Sequence, residues 1–360
     1  LRHAGGEMIK ESSGNLLRAD VEALVNTVNT EGVMGKGIAL QFKKAYPAMY
    51  EAYRKAAKAG DVRLGQMHVW ATGQTTGPQY VINFPTKGHW KSHSKLTDIE
   101  AGLTDLIEVI QKLGIESIAV PPLGCGNGGL DWRDVEPKIA EAFEQVPDVE
   151  VLLFSPGGAP AAAEMTTATQ RPAMNANRAA LVEILHRYAA KSLMAPGLIE
   201  SQKLLYFLQV AGQPLSLNFK QHHYGPYADN LRHVLNLVEG HFISGFGDGS
   251  ALVADAEPLT VLPDSADDAE SVLARDHETT DRIQRVISLA EGFESAYGLE
   301  LLATVHWVAS HEVVASDDEL VHKVWEWSPR KARMFTEDHV RIALETLRGQ
   351  GWLAQELVPA

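Results

Sequence analysis

Hydrophobic positions over the first 156 residues follow two alternating rhythms. Short apolar runs rich in Val and Ile occupy residues 23–29, 67–71, 80–84, 117–121 and 149–154, as strands buried in a sheet do. Between them, apolar residues recur at three- and four-residue spacing over residues 38–45, 47–58 (opened by Pro47), 96–113 and 134–143, which predicts helices. Strand and helix in alternation predict a three-layer α/β domain with a mixed sheet, its ligand site lying beyond the C-terminal ends of the strands.

The rhythm then changes. Residues 179–193, 198–210, 228–238, 280–297, 300–310, 318–327 and 338–350 all carry the helical spacing, so the second half is expected to be a mostly helical C-terminal domain. Before it, residues 155–177 are small and polar with three prolines and no apolar period, the composition of a linker. The expected organisation is therefore a first domain over residues 8–156, a linker over 157–177 and a helical domain over 178–360. Residues 255–281 hold nine acidic residues and one basic, Arg275, and are expected to form a solvated, mobile loop.

Composition narrows the class without naming a chemistry. Of 360 residues, 45% are apolar and 22% charged, an ordinary globular balance. The single cysteine, Cys125, excludes an internal disulfide and a cysteine-based zinc site, which fits a reducing, cytoplasmic setting. No apolar run approaches the roughly 18–20 residues of a membrane span, and the first ten residues lack the apolar stretch of a signal peptide. The net charge of −14 argues against nucleic-acid binding, but it is unevenly distributed. Residues 1–160 hold 16 Lys and Arg against 19 Asp and Glu, whereas residues 161–360 hold 16 against 27. The acidity belongs to the second half.

Two glycine-rich loops each follow a predicted strand and run into a helix: residues 29–39, with Gly32, Gly35, Lys36 and Gly37, and residues 121–132, with Gly124, Cys125, Gly126, Asn127, Gly128 and Gly129. Glycine lets backbone N–H groups approach an anion, and a helix N-terminus adds favourable partial charge, so the pair suits a diphosphate held from both sides. Neither loop matches a Walker P-loop or a GxGxxG dinucleotide fingerprint.

Gly14-Asn15-Leu16-Leu17, the run 23–29 (ALVNTVN), Val33-Met34-Gly35-Lys36-Gly37-Ile38-Ala39, Phe84-Pro85-Thr86-Lys87 and Leu123-Gly124-Cys125-Gly126 resemble a macrodomain, the ADP-ribose-binding module. The loop forms are similar to the glycohydrolase branch of that family, and macrodomain plus acidic helical half is similar to the DarG antitoxins. The resemblance implies an enzyme that cleaves the N-glycosidic bond joining ADP-ribose to thymine in single-stranded DNA. It implies no cofactor and no metal. Its partners would be ADP-ribose, ADP-ribosylated single-stranded DNA and, through the C-terminal domain, the toxin DarT.

Residue by residue, the resemblance places Lys87 beside C1″ of the distal ribose as the catalytic group, Asn15 at the adenine amino group and Asn29 at the distal ribose. The backbone of Gly35, Lys36, Gly37, Gly124, Cys125 and Gly126 would hold the diphosphate, with Asn127 and Gly128 completing the second loop. The human enzyme of this branch has an assisting acidic residue at the position that is Gly128 here. Asp131 is nearby, but helix capping is its commoner role. Cys125 reads as a small loop residue, since no basic partner adjoins it.

His89 and His93 lack the acidic partner of a metal set. With Lys87, Trp90, Lys91 and Lys95 they form a basic, aromatic cluster suited to single-stranded DNA. In the second half, Lys203-Leu-Leu-Tyr206 and His222-His-Tyr224-Gly225-Pro226-Tyr227 resemble toxin-neutralising domains of the Panacea type. The acidic half is expected to occupy a DNA-binding toxin's positive groove by phosphate mimicry. A macrodomain that binds ADP-ribose without cleaving it is the competing reading, and Lys87 separates the two.

Overall fold

The computed structural model describes residues 9–253 and 255–353, so the outermost positions of the expected domains, residue 8 and residues 354–360, lie outside the described residues. The chain divides into two compact units. One comprises residues up to Gln170 together with Gly247–Ser250; the other comprises Arg171–Phe246 and the residues from Ala251 on.

The first unit runs β1 (Ile9–Ser12), β2 (Ala23–Asn29), α1 (Gly37–Ala45), α2 (Pro47–Ala59), β3 (His68–Ala71), β4 (Tyr80–Lys87), α3 (Leu96–Leu113), β5 (Ser117–Val120), α4 (Trp132–Phe143) and β6 (Glu150–Phe154). The strands form one mixed sheet in the order β1-β6-β5-β2-β4-β3, parallel except for β3, which pairs antiparallel with β4. Strand period divides the core in two. Ala23, Val25, Ile82 and Phe84 face a cluster under α3 and α4, whereas Leu24, Val28 and Val81 pack with Phe42, Met49 and Tyr53 of α1 and α2. This is the expected three-layer α/β architecture of a macrodomain.

Residues 157–170, read from composition as linker, are part of this unit. Ala162 is buried in a short 3-10 turn, and the Ala168 N–H donates to the Lys44 carbonyl at 2.8 Å. Small residues without apolar period lie along a surface as readily as they span a gap.

The second unit is mostly helical: α5 (Ala176–Ser192), α6 (Leu198–Val210), the hairpin β7 (Phe219–His222) and β8 (Gly225–Ala228), α7 (Leu231–Val238), a two-residue pair β9 (Ile243–Ser244) and β10 (Thr260–Val261), then α8 (Ser265–Leu273), α9 (His277–Ala290), α10 (Ala296–His311), α11 (Asp317–Glu326), α12 (Pro329–Met334) and α13 (Glu337–Gly349). Central helices α6 and α10 are buried nearly all round, from Ser201 to Leu208 and from Gly298 to His306.

Three expectations change here. The acidic segment 255–281 is ordered into α8 and the start of α9, because Ala269, Leu273 and Thr279 are buried between the exposed carboxylates. The helix expected from residue 228 begins at Leu231, since residues 225–228 pair as a strand pinned by both amide atoms of Gln202. The helix expected over 280–297 breaks after Ala290, and Ser295 caps a new one.

Lys203, Glu300 and Lys331 form a buried charged cluster. Glu300 accepts from Arg330 at 2.5 Å and from Lys331 at 2.6 Å, while Lys203 donates to the Pro226 carbonyl at 2.6 Å. Burial pushes Lys203 down to about 7 and Lys331 down to about 8.

Candidate active site

The first glycine loop is folded by the strand that precedes it. Asn29, the last residue of β2, accepts the N–H groups of Glu31 (3.0 Å) and Val33 (3.3 Å) on Oδ1 and donates to the Val33 carbonyl at 2.7 Å. The buried Tyr53 hydroxyl of α2 donates to the Asn29 carbonyl at 2.5 Å, and burial pushes that phenol's pKa up. Asn29, expected to meet the distal ribose, thus spends most of its amide on shaping the loop.

Past this turn the N–H groups of Gly35 and Lys36 meet no acceptor among the described residues and remain available to an anion. Gly37 opens α1, but its N–H donates to the carbonyl of Asp248 at 3.1 Å. Asp248 is buried, and its carboxylate accepts from Gln41 at 2.7 Å. That contact spans 207 positions, and no local signal in the chain announces it.

The second loop stands beside the first: a Cβ on Gly37 would come within 3.3 Å of Asn127 Nδ2. Within it, the N–H of Cys125 is taken by Pro122, that of Gly129 by Gly126 and that of Leu130 by Gly124. The N–H groups of Gly126, Asn127 and Gly128 have no acceptor among the described residues. Of the six residues expected to hold a diphosphate through their backbone, Gly37 and Cys125 therefore have their N–H already engaged. The Cys125 thiol is pushed up to about 11, first by burial and then by the Asp131 charge, which disfavours a thiolate.

Gly128 has no room for a side chain. A Cβ there would lie 2.3 Å from Ser94 Oγ and 2.4 Å from the Gly124 carbonyl oxygen, so an assisting carboxylate at this position is sterically excluded. Asp131 does not replace it. It caps α4 by accepting the Arg133 N–H at 3.0 Å and pairs with that guanidinium, whose hydrogen bonds hold the carboxyl down at about 2. Asn15 likewise caps a 3-10 turn, accepting from Leu17 at 3.0 Å and donating to the Glu164 carbonyl at 3.0 Å.

Lys87 is positioned by a register slip. The parallel pairing of β2 with β4 runs Val28 opposite Pro85 and then Asn29 opposite Lys87, skipping Thr86. Such a bulge re-aims the side chain that follows it. The Lys87 ammonium donates to the Asn127 carbonyl of the second loop at 3.0 Å, and burial lowers its pKa. The amine therefore stands between the two glycine loops, with some of its charge already disfavoured.

Beneath the site a polar row crosses the sheet. Asn26 donates to Asn83 at 2.8 Å, and the Asn83 amide meets His68 Nδ1 at 3.1 Å, in a row of directly opposed residues of β2, β4 and β3. Alternation within each strand placed these residues, but only the pairing of the strands aligns them.

The basic cluster after Lys87 is partly assembled. His89 stacks on Trp90 with centroids 5.5 Å apart, Lys91 Nζ lies 4.8 Å from the Trp90 ring, and Trp90 is 48% exposed. His93 turns instead toward Gly129 of the second loop. Among the described residues no group of His, Cys, Asp and Glu stands close enough to hold a metal ion, and no helix is long and apolar enough to cross a membrane.

Known proteins are similar to this chain in sequence. Residues 25–139 match the Macro domain family. The DNA ADP-ribosyl glycohydrolase of Mycobacterium tuberculosis is 46% identical over 352 residues, covering 94% of this chain and 99% of that protein. The Thermus aquaticus protein of the same name is 45% identical over 350 residues, covering 97% and 95% respectively. A DNA ADP-ribosyl transferase-DNA ADP-ribosyl glycohydrolase fusion protein of Thermosipho africanus is 32% identical over 158 residues, 40% of each chain.

Proposed function

Because the chain belongs to the DNA ADP-ribosyl glycohydrolase family, we propose that it removes ADP-ribose from thymine bases of single-stranded DNA, with Lys87 attacking C1″ of the distal ribose. The observation that carries this reading is the slip that sets Lys87 opposite Asn29 with its amine 3.0 Å from the Asn127 carbonyl. The free N–H groups of Gly35, Lys36 and Gly126 to Gly128 suit the diphosphate, which would leave the distal ribose beside the amine.

Burial favours the neutral amine, whose lone pair can act as nucleophile. A bond forms between Nζ and C1″ as the bond from C1″ to the base nitrogen breaks. The bond pair leaves with the base, which takes up the proton shed by the lysine nitrogen. Water then adds at C1″ and releases the lysine, so hydrolysis is complete without a second carboxylate at Gly128.

The test is release of ADP-ribose from a thymidine-ADP-ribosylated single-stranded oligonucleotide. Lys87→Ala is expected to slow release by about 10²- to 10⁴-fold. Lys87→Arg fails equally, because a guanidinium keeps its charge but offers no lone pair at neutral pH. Wild-type activity in Lys87→Ala would refute the assignment; wild-type activity in Lys87→Arg alone would replace attack with charge stabilisation.

The acidic half is proposed to bind the DNA groove of the toxin DarT. Support comes from its charge, 16 basic against 27 acidic residues over 161–360, and from the ordered α8 and α9 segment, which exposes Asp264, Asp267, Glu270, Glu278 and Asp281. The Thermosipho fusion, whose name joins transferase and glycohydrolase, is consistent with such a partnership. Calorimetric titration of the full chain with the toxin should give binding that weakens steeply with salt. Absent or salt-independent binding would refute phosphate mimicry.

A further inference from the structure

We propose that a cationic cleft of about 390 Å³, lined by Glu31 and by Arg54, Lys55 and Lys58 of α2, holds the phosphodiester backbone of the strand whose modified base reaches Lys87. This subsite rests on the nucleic-acid reading above and adds residues that the cluster from Lys87 to Lys95 does not contain.

The cleft is tied to the end of β4 that delivers Lys87. The Thr30 N–H, one residue before Glu31, is shared between the carbonyls of Lys87 (3.2 Å) and Gly88 (3.1 Å), and its hydroxyl donates to Gly88 at 3.0 Å. On the other side the first loop lies directly against α2. Gly32 has φ +82°, and a Cβ there would stand 3.2 Å from the Ala57 methyl, so the loop can approach this closely only with glycine.

Charge gives the cleft its ligand class. Three cations line the cleft against Glu31 and the Glu51 that pairs with Arg54, a net positive charge in a unit that is slightly acidic over its length. Arg54 is paired with Glu51 at 2.7 Å, whereas Lys55 and Lys58 have no carboxylate partner among the described residues. Lys55 and Lys58 are exposed and stand together with Arg54 along one cleft, so their fields add at a phosphate bound there. Glu31 also meets His89 Nε2 at 3.6 Å, which joins the cleft to the stacked His89 and Trp90 and to Lys91. Cationic side chains therefore flank the end of β4 in two directions, as a strand passing the site in extended form requires.

The test uses the full chain, a fluorescein-labelled oligothymidylate and binding followed by anisotropy over a series of NaCl concentrations. The double variant Lys55→Gln/Lys58→Gln keeps good helix formers in α2 and so preserves the fold. Loss of two phosphate contacts should weaken binding several-fold at low salt and lower the slope of log K against log salt by about 1.4, at roughly 0.7 per phosphate on a single strand. Glu31→Gln should tighten binding. Lys112→Gln, on α3 across the sheet, should change neither affinity nor slope.

An unchanged slope in the double variant, an equal effect of Lys112→Gln, or no binding of oligothymidylate by the wild type would overturn the proposal. Release of ADP-ribose from ADP-ribosylated thymidine, a substrate without a phosphate backbone, tests the catalytic reading alone. Failure there, with the oligothymidylate slope responding as stated, would sink the reaction and leave the cleft standing.

Discussion

Gly128→Ala places one methyl group at the most crowded point of the second glycine loop. Its carbon would stand 2.3 Å from Ser94 Oγ and 2.4 Å from the Gly124 carbonyl oxygen. The Ser94 hydroxyl has no hydrogen-bond partner among the described residues and can turn aside, but the Gly124 oxygen cannot. The Gly124 oxygen is backbone and accepts the Leu130 N–H at 3.0 Å, while Ser94 is buried and its N–H donates to the Gly128 carbonyl at 2.9 Å. Restoring ordinary contact needs about 1 Å of displacement, and overpacking of this kind costs about 1–3 kcal/mol. For a unit of this size the melting temperature should fall by roughly 2–12 °C. The loop also carries the Asn127 carbonyl that receives Lys87, so the amine loses its position, and a misplacement of about 1 Å costs on the order of 10²-fold in rate. Thermal melting, calorimetric ADP-ribose affinity and ADP-ribose release from modified DNA read the three consequences. Gly126→Ala is the control for melting, because no atom lies within 4 Å of a Cβ there. Gly128→Glu should be inactive as well. Wild-type melting and affinity in Gly128→Ala, or a higher rate in Gly128→Glu, would refute the steric account and restore a two-residue mechanism.

Asp248→Ala removes the buried carboxylate that accepts the Gln41 amide, leaving a buried donor unpaired at a cost of about 1–3 kcal/mol. Lower melting together with weaker ADP-ribose binding is expected, since the same residue's carbonyl holds Gly37 at the start of α1. In the second unit, Lys203 at about 7 and Lys331 at about 8 both sit below an unfolded lysine, so between those values and about 10.4 the unfolded chain binds more protons. Stability of that unit should therefore rise as pH climbs from about 7 to 10, measured by denaturant unfolding. A flat or falling profile would show both lysines fully charged in the fold.

Much of the first unit was legible in the sequence because its strands are buried and its helices are amphipathic. The run 23–29, the helix after Lys36 and the two glycine loops each declare themselves within a dozen residues. In the second unit most helices were legible, but α8 and α12 and the interruptions between helices were not. The strand at 225–228 depends on Gln202 in another helix, and the ordering of the acidic segment depends on a few small apolar residues among its carboxylates.

Chemistry divided along the same line. Residue types and spacing brought the glycine loops into view, since those signals are local, whereas Lys87 was singled out by the family resemblance. Only the tertiary structure decided that Thr86 is skipped so that Lys87 meets Asn29, because a strand's period sets its faces while its partner sets its register. Only packing against the Gly124 carbonyl and Ser94 closed Gly128 to a carboxylate. The Gly37 N–H was committed to Asp248 by a contact from far along the chain. Local pattern specifies what a segment can become; which of its hydrogen-bonding groups stay free for a ligand is settled by whatever the fold brings beside them.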